Sequence, residues 1–174
     1  MTMEHAAERR PPARARSAVD RKSAVKSLIA GKNTSYPDIS DFDLIERIGI
    51  VKKGLPARLL TRLADDMNVS RERLYAWLGI PRTTANRKVK DDEILSQDES
   101  ERVLGIASLV GQVQRIVRES GGPRDFDAAR WTADWLEEAN AALGGRTPGE
   151  FMDTSDGRTL VSGLVARMQS GAYA

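Results

Sequence analysis

The residues from Arg82 to Lys90 include side chains suited to reading a polyanion: Arg82, Thr83, Thr84, Asn86, Arg87 and Lys88. Arginine offers a fork of donors to guanine, asparagine pairs with adenine, and threonine meets a thymine methyl or a phosphate. Arg71 and Arg73 stand just ahead, in the stretch Ser70 to Gly79. Residues 71–90 carry six basic side chains and one acidic, whereas residues 124–158 carry eight acidic and four basic. The first segment attracts phosphate and the second repels it, which points to two surfaces with different partners.

Side chains for catalysis are scarce. Cysteine is absent, which excludes disulfides and thiolate metal sites, and the single histidine, His5, lies in an Arg- and Pro-rich start. Asp91, Asp92 and Glu93 are consecutive, so they do not converge on one ion and read as a solvated loop. The glycine pairs at 121–122 and 144–145 lack the lysine and strand context of a phosphate-cradling loop. No G-x-S-x-G motif occurs. Neither an enzyme nor a cofactor is expected. No apolar run approaches the twenty or so residues needed to span a bilayer, and no secretory signal opens the chain, so a cytoplasmic location is expected.

The elements that must position these residues are helical. The chain of 174 residues has room for one ordinary domain or two small ones. Its 40% hydrophobic and 5% aromatic content predicts a core of Leu, Val, Ile and Ala. Val25, Leu28 and Ile29 fit a short amphipathic turn ended by Gly31. Ser40 suits the N-cap of a helix holding Phe42, Leu44, Ile45 and Ile48 and stopped by Gly49, with 50–54 as an extended link. Pro56 suits the first turn of a helix with Leu59, Leu60, Leu63, Ala64 and Met67 at helical spacing. Ser70 caps the next helix, Gly79-Ile80-Pro81 turns the chain, and a third helix runs to about Val89, giving helix-turn-helix proportions. An ordinary exposed helix with a solvated basic face is the alternative.

Ser96-Gln97-Asp98-Glu99 is a capping box that starts the strongest helix. Val103, Ile106, Ala107, Val110, Val113 and Val117 make its apolar stripe, which Leu104, Leu109 and Ile116 widen. So broad a stripe requires burial on several sides or against a second copy. Gly121-Gly122-Pro123 ends it. Beyond it, Phe126, Ala129, Trp131, Ala133, Trp135 and Leu136 predict one or two short helices, and Thr147 to Glu150 is a second capping box. A last helix from about Asp156 is expected to bury Leu160, Leu164, Val165 and Met168. Nothing predicts a sheet, so the fold class is all-α, with a long connecting helix between an N-terminal helix-turn-helix domain and a small helical C-terminal domain. The expected boundaries are 1–35 for a disordered or weakly helical basic arm, 36–120 for the helix-turn-helix domain, and 121–174 for the C-terminal domain.

Trp131 and Trp135 sit one helical turn apart, a spacing that suits core anchors and is read so for at least one of them, with contact to a partner as the other reading. The tail from Met168 to Ala174, with Gly171 and Tyr173, is short and uncharged; it fits a cleft on another protein or a frayed end.

At these residues the sequence resembles the Xre/MbcA/ParS antitoxins. One block is Gly54-Leu55-Pro56, Leu78-Gly79-Ile80-Pro81-Arg82-Thr83-Thr84 and Leu95 to Val103. The other is Trp135-Leu136, Ala142-Leu143-Gly144-Gly145-Arg146-Thr147-Pro148, then Thr154, Gly157, Val161, Leu164 and Gly171. The match spans about residues 50–174 and leaves 1–35 unassigned. It implies a homodimer whose Xre-like helices bind the promoter DNA of its own operon through Arg71, Arg73, Arg82, Thr83, Thr84, Asn86, Arg87 and Lys88. It implies too that the C-terminal domain neutralises a RES-domain toxin protein that consumes NAD or transfers ADP-ribose. Its contacts would be Trp131, Trp135, Asn140, Gly144, Gly145, Arg146, Arg167, Met168, Gly171, Tyr173 and Ala174. Two departures stand out: Ala139 precedes Asn140 where members often have Pro, and Arg87-Lys88 replaces a common Arg-Arg. The alternative is a stand-alone helix-turn-helix regulator whose C-terminal domain dimerises or senses a ligand; an adjacent RES-domain gene separates the two.

Overall fold

In the computed structural model, Tyr36, Phe42 and residues 44–169 are described. Among them run seven α-helices: α1 (Leu44–Lys53), α2 (Arg58–Asp66), α3 (Arg71–Leu78), α4 (Arg82–Lys90), α5 (Gln97–Glu119), α6 (Ala128–Glu137) and α7 (Ser155–Gln169). Two 3₁₀ turns, Ala141–Leu143 and Pro148–Phe151, link α6 to α7. No strand occurs among the described residues, and only isolated bridges join Pro56 to Ile94 and Asn140 to Arg146. The all-α architecture agrees with the periodicity of the sequence. The expected turn at 25–31, the Ser40 cap and the tail residues Gly171, Tyr173 and Ala174 lie outside the described residues.

Local signals set most boundaries. The Ser70 hydroxyl accepts the Arg73 N–H at 3.1 Å and starts α3, and Gly79 ends it in the left-handed conformation at φ 59°. Ser96 and Glu99 satisfy each other's backbone N–H groups at the head of α5. The same reciprocal box forms between Thr147 and Glu150, but it opens a 3₁₀ turn rather than an α-helix.

The structure corrects three expectations. First, α1 passes through Gly49 and absorbs residues 50–53, which were expected to be extended. An interior glycine costs only about 1 kcal/mol. Ile50 and Val51 pack against the core, and the terminator is Gly54, whose N–H reaches Ile50 O and Val51 O at φ 79°. In this helix Leu44, Ile45 and Ile48 are exposed. Second, Pro56 stands two residues before α2, in an extended link that hugs 93–95: Leu95 N–H donates to Leu55 O at 2.8 Å, and Ala57 N–H to Glu93 O at 2.9 Å. Third, Leu160 is 42% exposed, while Val161, Leu164 and Val165 form the buried stripe of α7.

The broad apolar stripe of α5 is used inside the chain. Val103, Leu104, Ile106, Leu109, Val110 and Val113 are buried, and α1, α2, α3, α6 and α7 all pack on this helix. One hydrophobic cluster therefore runs from Leu55 through Trp77 and Ile106 to Trp135 and Val165.

Candidate nucleic-acid and toxin-binding surfaces

The α3–turn–α4 unit holds its exposed basic and polar side chains on one packed frame. Leu74, Tyr75, Trp77 and Leu78 bury α3, and Ala85 buries α4. Behind the turn, the Arg102 guanidinium donates to Leu78 O and Gly79 O, each at 3.0 Å, and is itself held by Asp98. Sequence reasoning missed this clamp, because its partners lie 24 and 23 residues apart along the chain.

Arg82, Thr83, Asn86 and Arg87 are exposed on α4, as are Arg71 and Arg73 on α3, while Thr84 is half-buried. The exposed Lys90 adds a cation that sequence reasoning had not placed among the readers. The Asn86 side-chain carbonyl accepts from the Tyr75 hydroxyl at 3.3 Å, which orients its amide. Burial pushes the Tyr75 phenol above its usual value, so it remains a donor at neutral pH.

Several of the cations have acidic partners. Arg82 pairs with Glu72 at 3.2 Å, Arg73 with Glu137 at 3.5 Å, and Arg87 with Glu93. Lys88 differs from the others. Its side chain is only 13% exposed and its ammonium lies 2.5 Å from Glu99. Burial raises the Glu99 carboxyl, but the Lys88 and Ser96 hydrogen bonds outweigh that and hold it below the ordinary glutamate value. The expectation that Lys88 serves phosphate thus meets a side chain already engaged in fastening α4 to the head of α5.

The C-terminal surface is built from rings and a glycine loop. Trp131 and Trp135 stack nearly parallel, with centroids 6.1 Å apart and planes 6° from each other, and Phe126 packs at 6.4 Å on the outer ring. Trp135 is buried and Trp131 half-buried, so the first anchors the core and the second offers a partly open face. The Asn140 side-chain carbonyl accepts from Ala142 N–H at 2.9 Å, and Asn140 and Arg146 bridge the ends of a loop. Gly144 and Gly145 carry that loop around at φ 66° and 83°. Arg146 lies over the Phe151 ring at 4.5 Å and pairs with Glu150 at 3.0 Å. The Thr147 N–H and then Arg146 hold the Glu150 carboxyl below its usual range. Arg167 is exposed and Met168 half-buried in the last described turns of α7. Among the described residues no cluster of three or more His, Asp or Glu is placed to hold a metal.

Comparison with known proteins decides what this architecture is. Residues 46–108 match the antitoxin Xre-like helix-turn-helix domain, and residues 126–171 match the antitoxin Xre/MbcA/ParS C-terminal toxin-binding domain. A curated relative from Sphingobium sp. (strain YBL2), named Prs ADP-ribosylating antitoxin, is 41% identical over 147 residues, covering 83% of this chain and 92% of the relative. The chain belongs to the Xre/MbcA/ParS antitoxin family. The α3–α4 unit falls within the first match, and the indole stack, the glycine loop and α7 fall within the second. Among the described residues no helix is long and apolar enough to cross a membrane.

Proposed function

We propose that this antitoxin neutralises a RES-domain toxin by seating residues 124–174 against the toxin's active site or its entrance, and that it represses its own operon through α3 and α4. The observation that carries the reading is the near full-length similarity to an antitoxin whose name pairs it with ADP-ribosylation. Inhibition is by occupancy: the chain is not itself an enzyme and supplies no cofactor. The contact set begins with the open face of Trp131, with Trp135 behind it. It continues through Asn140, Gly144, Gly145 and Arg146 to Arg167, Met168 and the tail. The capping box at Thr147 and the left-handed glycines hold this surface in one shape before binding, so little ordering entropy is lost on docking.

On the other surface, Arg82, Thr83, Thr84 and Asn86 address bases, while Arg71, Arg73 and Arg87 address phosphate. Two copies of the chain would present two such units to a two-fold operator in the cytoplasm. Co-expression with the neighbouring gene tests the central claim. Full-length antitoxin restores growth, and deletion of 124–174 abolishes the rescue. Equal rescue by the deleted chain overturns the reading.

A further inference from the structure

Glu137 closes α6, inside the toxin-binding match, yet its carboxylate points across the molecule to α3. The same oxygen, Oε1, accepts the Trp77 indole N–H at 3.1 Å and lies 3.5 Å from the Arg73 guanidinium. Arg73 is 54% exposed and Glu137 42% exposed, so this ion pair is open to solvent and exchangeable. The joint beneath it is tight. A Cβ placed on Gly149 would stand 2.4 Å from the Trp77 indole nitrogen and 2.9 Å from Leu136 O, so the 3₁₀ turn seats directly on α3. The carboxylate is thus fixed by its hydrogen bond to Trp77 beside a cation on the first helix of the helix-turn-helix, the helix that crosses the DNA backbone.

We infer that Glu137 is a positioning residue for DNA binding: it holds Arg73 away from phosphate, so the C-terminal part of the chain sets DNA affinity from within the molecule. The inference rests on the assignment of α3 and α4 to DNA. An approaching phosphate must take Arg73 from Glu137 and must also face the remaining carboxylate. Exposed ion pairs of this kind contribute about 0.2–1 kcal/mol, so their competition tunes affinity rather than abolishing it. Glu138 is the adjacent exposed acid and provides a charge-matched control.

The test uses the full chain and a duplex from immediately upstream of its gene, at about 0.1 M salt where the Debye length is about 10 Å. Glu137→Gln keeps an oxygen that accepts from Trp77 and removes only the charge. It is expected to tighten binding by about 1.4- to fivefold, the range that an exposed pair converts to. Glu138→Gln is expected to give less than half that gain. In an Arg73→Ala background the gain from Glu137→Gln is expected to shrink to that of Glu138→Gln, the part due to direct repulsion of phosphate alone. A gain equal to that of Glu138→Gln in the otherwise unaltered chain, or one that persists undiminished without Arg73, overturns the inference while leaving the DNA assignment standing. If the wild-type chain does not bind the duplex, the DNA assignment fails and the inference with it. Should Glu137→Gln lose its cooperative melting, Glu137→Asp replaces it; its shorter stem draws the carboxylate back, and a smaller gain of the same sign is expected.

Discussion

The helix pair α3–α4 and the segment 126–169 are built by opposite means. In the first, most of the exposed residues are charged, and Arg73, Arg82 and Arg87 each lean on a nearby acid. In the second, shape dominates: two stacked indoles, a loop with two left-handed glycines, and two glycines, Gly149 and Gly157, pressed against neighbouring atoms. A charged surface is retuned by salt and by neutralising a single partner. A surface built on close packing changes only when atoms collide or leave a void.

The largest effect should come from violating that packing. A Cβ on Gly157 would lie 1.9 Å from Phe151 O and 2.7 Å from the Thr154 hydroxyl, so Gly157→Ala is expected to cost about 3 kcal/mol in chemical denaturation and to lower toxin capture. Unchanged stability would mean that this end of the molecule is more pliable than its packing implies. Next, Arg82→Ala should cost about 2 kcal/mol of discrimination at one base position, read by binding to a panel of operator variants. An unaltered preferred site at unaltered affinity would place the readers on another helix.

The smallest effect tests the exception within the charged surface. Lys88→Met should lower stability by about 1 kcal/mol and leave the DNA sequence preference unchanged, because Lys88 fastens α4 to α5. A uniform weakening of DNA binding with no loss of stability would return Lys88 to the phosphate contacts. The pH dependence has a definite sign. The folded chain holds the Glu99 carboxyl below its ordinary value, so the stabilisation is complete above the ordinary glutamate range and is lost as pH falls through the folded value. The stability gap between wild type and Glu99→Gln should therefore narrow on acidification.

What was legible in the sequence was what a few neighbouring residues decide. Ser70, Gly79, Ser96 and Thr147 mark starts and stops through hydrogen bonds that span three or four residues, so the helix-turn-helix, the long helix and the capping boxes could be read directly. The family resemblance added the division of labour between the two parts. Features set by the tertiary fold were not legible. Gly49 looked like a stop because the packing of Ile50 and Val51 that carries α1 onward is not local. Leu160 looked buried because its spacing fits the α7 stripe, but Val161 takes the inward place. Lys88 looked like a surface cation, and only the fold brings Glu99 to it across eleven residues. The Trp77–Glu137 contact spans sixty residues and leaves no mark in composition or periodicity.

The seat of Gly149 on Trp77 bears on how such chains can be recombined. Gly121-Gly122-Pro123 invites a cut that would let any C-terminal half follow any N-terminal half. Yet the two halves share an interface in which one added methyl would meet an indole nitrogen and a main-chain oxygen. A hybrid of two relatives joined at that hinge would inherit a mismatched seam unless the residues facing Trp77 travelled with it. Changes of partner are therefore more readily made by rewriting the outer surface of the C-terminal segment than by exchanging the segment whole.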